Sequence, residues 1–181
     1  MRRANKTPAG AAPAEVAARA SEAAAGRDRL GVLVFTLSTH LPFFEIAEHL
    51  AEQFGELELR AEVSTAGPQR VQSVLEGKFA GVDVLVVVGE TGPAGEDQLM
   101  ELVQWLLANG RQSLAENLIF AVLDEGHSVA ELPAFNRVVL PRSYFARTQQ
   151  SGLRLPWAAS ARESWELVTA VLDYAVGLGA E

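Results

Sequence analysis

"VDVLVVVG", residues 82–89, constrains this chain more than any other stretch. It is one strand long, dominated by β-branched valine, and shows no alternation of polar and apolar residues. A half-covered strand alternates; a continuous apolar run needs cover on both faces, which parallel sheets obtain from helices on either side. Four further runs have strand length: "LGVLVFTL", "ELELRAEV", "NLIFAVL" and "NRVVLP". Only "ELELRAEV" alternates, which suits an edge strand with one covered face. The expected strands are therefore Leu30–Leu37, Leu57–Val63, Val82–Val88, Leu118–Leu123 and Arg137–Leu140.

Between these runs the apolar period changes to that of a helix. Phe43, Ile46, Ala47, Leu50, Ala51 and Phe54 mark the first such face, closing at Gly55. Val71, Val74, Leu75 and Phe79 mark a second after Gly67-Pro68. Leu99, Leu102, Val103, Leu106 and Leu107 mark a third that stops at Asn109-Gly110. Trp165, Val168, Leu172 and Ala175 mark the last, within Ala158–Gly177. Strand and helix alternate with short connections, which predicts a three-layer α/β/α domain around a parallel sheet. No G-x-G-x-x-G turn follows the first strand, which disfavours a dinucleotide-binding Rossmann domain. The expected arrangement is a five-stranded parallel sheet of order 2-1-3-4-5, with residues 82–88 central.

Composition narrows the chemistry. The chain has 181 residues and no cysteine, so disulfides, thiol catalysis and cysteine-ligated metals are excluded. His40, His49 and His127 include no pair three or four residues apart, and no metal site is expected. No apolar run is long enough to span a membrane, and a cytoplasmic location is expected. Residues 1–29 carry six basic residues against three acidic ones, a net +3 that leaves −11 on the rest of a chain whose total is −8. An acidic body repels a phosphate backbone, so nucleic acid is not an expected partner. Residues 1–29 are also alanine-rich, offer little apolar area, and are expected to form a mobile extension before a domain at 30–181.

Ligands of an open parallel sheet bind beyond the carboxyl ends of its strands. After the first strand stands "TLSTHLP". Thr36, Ser38 and Thr39 can offer hydroxyls to a phosphate together with helix amides, with His40 adjacent; equally, they can cap the helix that Pro42 begins. After the third strand, Glu90-Thr91-Gly92-Pro93-Ala94-Gly95 has the glycines and proline of a tight loop that can lie against a flat ring, or of a plain loop before a helix. After the fourth, Asp124, Glu125, Gly126 and His127 form a polar loop. "GHSVA" there is no nucleophile elbow, because the second glycine is absent and no histidine follows in the chain. Tyr144, Phe145 and Trp157 lie in a long segment without periodicity. They either cover a pocket, contact a second copy of the chain in a homo-oligomer, or tuck the loop onto the body.

Three stretches resemble the flavodoxin and NAD(P)H-dependent FMN reductase superfamily over Leu30 to about Gly126. "TLSTHLP" is similar to the phosphate loop [ST]-x-T-G-x-T: Thr36 and Ser38 fill its first two hydroxyl positions, while Thr39 stands at the glycine and Leu41 at the last threonine. "VDVLVVVGETGPAGEDQLMELVQWL" resembles the third strand, flavin-side loop and following helix. "LIFAVLDEGHSVAELPAF" resembles the fourth strand and second flavin-side loop. The resemblance implies a flavodoxin-like fold and an FMN cofactor, with phosphate at Thr36, Ser38, Thr39 and His40. The ring would lie between Glu90, Thr91 and Gly92 on one side and Asp124, Gly126 and His127 on the other. It implies electron transfer or NAD(P)H-dependent reduction, in which the flavin carries the electrons and the protein positions and tunes it. The acidic body would suit a basic redox partner protein. No catalytic residue is assigned. The alternative is a non-catalytic interaction module that keeps the scaffold without the cofactor.

Overall fold

A computed structural model describes residues 12–38, 40–41, 43–67, 80–89, 93–123, 136–140 and 165–178. Its centre is a parallel sheet of four strands, β1 (Leu30–Thr36), β2 (Ala61–Ala66), β3 (Val84–Gly89) and β4 (Leu118–Leu123), in spatial order β2-β1-β3-β4. The register runs from Leu30↔Ala61 to Phe35↔Ala66, from Val32↔Val84 to Thr36↔Val88, and from Leu85↔Leu118 to Gly89↔Val122. The order of these four strands is the expected one. A further short strand, β5 (Asn136–Leu140), is described by its backbone.

Among the described residues, five helices accompany the strands: α1 (Ala14–Ala24), α2 (Phe43–Glu56), α3 (Pro93–Ala108), α4 (Gln112–Glu116) and α5 (Glu166–Leu178). Alternate residues of each strand point to opposite faces, and both faces are covered. Leu30, Val32, Val34, Val84, Val86, Val88, Ile119 and Ala121 meet α1, α2 and α5. Leu33, Phe35, Leu85, Val87, Leu118 and Phe120 meet α3 and α4. All six residues of β3 are buried, which is what its unbroken apolar run requires.

Several expectations shift in detail. The helical periods are right at Ile46, Ala47, Leu50 and Phe54, and at Trp165, Val168, Leu172 and Ala175, all buried. Ala51 is exposed and Leu107 is 51% exposed, because each sits at the margin of its helix's apolar stripe. The second expected helix, with Val71, Val74, Leu75 and Phe79, lies outside the described residues. The loop expected over Glu90–Gly95 is helical from Pro93 onward. Proline is favoured in a first helical turn, where its missing N–H costs nothing.

The largest displacement concerns "ELELRAEV". Its first half closes α2 instead of starting β2, which begins at Ala61. Gly55 does not end the helix. Glu58 does, with φ at 55°, in the left-handed region. Leu59 N–H donates to the Phe54 carbonyl at 3.0 Å and Glu58 N–H to the Gly55 carbonyl at 3.1 Å. That pair of bonds is a Schellman closure, completed by apolar contact between the residues at its two ends; Phe54 and Leu59 are both buried in the same cluster. Polar-apolar alternation is common to an edge strand and to this closure, so the pattern alone misplaced the boundary.

The alanine-rich segment also departs from expectation. Residues 14–24 are not an appendage: α1 buries Val16, Ala20 and Ala23 against the cluster formed with α2 and α5, and Arg19 Nε lies 3.1 Å from Asp173 Oδ1. The buried positions are four and three residues apart, one face of a helix. Small side chains limit the area buried, but they let the α1 backbone approach closely. A domain boundary at residue 29 therefore does not separate α1 from the core.

Candidate functional site

The strand order fixes where to look. The chain passes from β1 to β2 on one side and to β3 on the other, so strand order reverses between β1 and β3. In sheets of this kind a crevice opens there, outside the carboxyl ends. Thr36 pairs with Val88, Val88 with Ala121, and the Leu37 amide donates to the Val88 carbonyl at 3.0 Å. The ends of β1, β3 and β4 thus stand side by side, and the segments after them start from one edge of the sheet.

Of the site residues expected from sequence, Thr36, Ser38 and His40 are described. Thr39, Glu90, Thr91, Gly92, Asp124, Gly126 and His127 lie outside the described residues. Thr36 is fully buried, and its hydroxyl is committed: it donates to the Ser38 carbonyl at 2.5 Å and accepts the Ser38 N–H at 3.2 Å. A hydroxyl has one proton to donate, so in this arrangement Thr36 shapes the turn instead of donating to a phosphate. The turn continues with Leu41 N–H on the Ser38 carbonyl at 3.3 Å and Phe43 N–H on the Leu41 carbonyl at 2.9 Å. The first amide of α2 is therefore also engaged.

What faces outward is a pair. Ser38 Oγ lies 2.6 Å from Nδ1 of the exposed His40. With the imidazole neutral and its proton on Nε2, serine is the donor; with the proton on Nδ1, histidine is. Either way an incoming anion would meet two polar groups already oriented by one another. Glu45, in the first turn of α2, is stabilising beside the helix amides and would repel a doubly charged phosphate. Beside this turn Phe44 is 60% exposed, its ring centroid 4.2 Å from that of Phe43.

Gly89, the last residue of β3, was not anticipated as important. A Cβ there would lie 2.5 Å from Phe120 Cε2 and 3.1 Å from Leu37 Cδ1. Leu37, just after β1, and Phe120 of β4 meet over the end of β3, and only glycine leaves them room. The signal in the sequence was a glycine closing an otherwise valine-rich strand. Gly95, expected in a loop, is buried inside the first turns of α3.

Among the described residues, no group of three or more His, Cys, Asp or Glu is placed to hold a metal ion. No described helix is long and apolar enough to cross a membrane. Comparison with known proteins finds no matching family model and no matching curated protein.

Proposed function

We propose that this chain is a flavodoxin-like protein that binds FMN at the crevice between β1 and β3 and uses it in electron transfer or NAD(P)H-dependent reduction. The observation that carries the reading is the parallel order β2-β1-β3-β4, with the half-buried Ser38 and the exposed His40 at the point where that order reverses. The complete five-strand order 2-1-3-4-5 belongs to the same proposal. It is supported by a backbone pairing of β5 against the free edge of β4, from Ile119↔Asn136 to Leu123↔Leu140. In this reading Ser38, Thr39 and His40 hold the phosphate, and the loops of Glu90–Gly92 and Asp124–His127 flank the ring. The protein binds and orients; the flavin supplies the redox chemistry. A basic protein partner and a cytoplasmic setting suit an acidic, cysteine-free body.

Titration with FMN, followed by flavin fluorescence, tests it. Saturable quenching is expected, and Ser38→Ala and Thr39→Ala should each weaken binding at least tenfold, since a hydrogen bond to a charged group contributes about 1.5–3 kcal/mol. A wild type without saturable quenching would end the flavin reading.

One observation favours a second reading. The donors that a phosphate loop would turn outward at Thr36 and Phe43 are engaged within the turn, and Phe44 stands exposed next to them. A turn satisfied from within, beside an exposed aromatic, suits a module that contacts another protein without cofactor. The same titration separates the two.

A further inference from the structure

The outer face of α2 carries charge that no described residue answers. Glu45, Glu48, Glu52 and Glu56 are all exposed there, three and four residues apart. Among the described residues, none of the four takes part in an ion pair or a side-chain hydrogen bond. No lysine or arginine occurs from Leu30 to Leu59. Like charges at these spacings weaken a helix, and a glutamate in the last turn opposes its dipole. At the head of the row stands Phe44, 60% exposed, its ring tilted 31° against that of Phe43. Phe44 and Glu48 are four residues apart, so the ring and the carboxylates share one side of the helix. Ile46, Ala47, Leu50 and Phe54 seat the opposite side in the core.

We propose that this face docks a basic amphipathic helix of another protein, with cationic side chains on the glutamates and an apolar one against Phe44. Chemistry removes the other occupants. The carboxylates are strung along about 16 Å of helix, and no group of three or more acidic or histidine residues among the described ones is placed to hold a metal ion. Anionic lipid and nucleic acid are repelled by the row. A second copy of the chain presenting the same face would set glutamate against glutamate. A cationic helix meets complementary charge at a matching repeat, since every α-helix rises about 5.4 Å per turn. Aromatic side chains are enriched at the centres of protein contact surfaces, with polar groups at the rim. Phe44 beside Glu45 and Glu48 has that arrangement. The proposal does not rest on flavin binding, because a flavoprotein and a cofactor-free module can both use the outer face of α2.

Fluorescence anisotropy of a labelled helical peptide tests this, with the full chain titrated in the absence of FMN. The peptide is about 15 residues long, with lysines four apart along one face and a leucine beside the first. At an ionic strength of about 0.1 M, attraction beyond about 10 Å is screened, so net charge alone does not hold the peptide. Saturable binding is expected. Glu48→Gln with Glu52→Gln should weaken it about fivefold and flatten its dependence on salt. Phe44→Ala should weaken it about tenfold and leave the salt dependence as it was. Asp97→Asn with Glu101→Gln removes the same charge from the exposed side of α3, on the other face of the sheet. That pair should change the affinity less than about twofold. Each of these side chains is exposed, so the variants keep the fold. Binding that never saturates, that the α3 pair weakens as much as the α2 pair, or that ignores Phe44→Ala overturns the proposal. Arg2→Gln, Arg3→Gln and Lys6→Gln together should leave the affinity unchanged. A gain of about tenfold would mean that the chain's own basic residues compete for the face, and would overturn the assignment to another protein. FMN binding by the same variants is read separately, so the flavin reading and this one fail independently.

Discussion

The two ends of the sheet are built on different terms. At the amino end the chain is locked through its backbone, with one carboxylate taking part. The Gly31 N–H donates to Asp83 Oδ2 and the Asp83 N–H to the Gly31 carbonyl, each at 2.8 Å, and a Cβ on Gly31 would sit 1.8 Å from the Gly81 carbonyl oxygen. The α2–β2 closure at Glu58 and the packing of α1 lie on the same side of the molecule. At the carboxyl end, by contrast, contacts at Gly89 are with side chains, and the turn after β1 is held by hydroxyls. Backbone locks leave no room for substitution, whereas side-chain contacts can be repacked. The difference teaches where stability is fixed and where ligand chemistry is free to vary, as expected of a fold that hosts its sites on strand-end loops.

The sharpest way to break this comparison is to place the same methyl group at both ends. Gly31→Ala drives Cβ into a peptide oxygen that cannot move without parting β1 from the turn before β3. Destabilisation of about 3 kcal/mol or more is expected, at or above the upper range for overpacking. Gly89→Ala meets the Phe120 ring instead and should cost about 1–3 kcal/mol. Phe120→Leu in the same chain should recover part of that loss. Denaturant unfolding measures both, and rescue of Gly31→Ala by a side-chain substitution would erase the distinction.

Removing residues 1–25 probes the amino end at larger scale. Burial of Val16, Ala20 and Ala23 contributes about 4 kcal/mol at roughly 0.8 kcal/mol per buried carbon. For a chain of this size that corresponds to a Tm lower by about 8–16 °C. A shift under 2 °C would mean that α1 contributes little despite its contacts. At the carboxyl end, Thr36→Val keeps the shape and removes both hydroxyl bonds to Ser38. Because the residue is buried, a loss of about 1–2 kcal/mol is expected. If stability is unchanged while FMN binding falls, Thr36 serves a ligand and not the turn.

Much of the fold was legible because the controlling signals are local. An unbroken apolar run forced β3 into the interior, and the change from strand to helix period located β1, β4, α2, α3 and α5. Two features were not legible, for the same physical reason: each depends on what lies across from it. The alanines of α1 have little apolar area of their own, and only the presence of α5 turns Ala20 and Ala23 into core. "ELEL" alternates whether it is a strand or a helix closure, and only the Leu59–Phe54 contact decides between them. Of the candidate site only Thr36, Ser38 and His40 fall among the described residues. That Thr36 would spend its hydroxyl on Ser38 follows from a turn geometry which no pattern of hydroxyl residues specifies, since serine and threonine bond their own backbone and a ligand equally well.

The smallest expected effect is also the most discriminating for the amino end. Glu58 occupies the position where helices that close in this way usually have glycine, and it holds a φ of 55° there. A side chain in the left-handed region costs roughly 1–2 kcal/mol, while glycine gives back about 0.4–1 kcal/mol through the greater freedom of the unfolded chain. Glu58→Gly should therefore stabilise by a few tenths to about 1 kcal/mol. Glu58→Val, β-branched and poorly suited to positive φ, should destabilise. The paired measurement separates backbone conformation from charge, because both variants remove the same carboxylate. If the two shift stability in the same direction, the carboxylate matters more than the angle. The closure of α2 would then rest on the electrostatics around Arg27 and Arg60 instead of on the Schellman geometry.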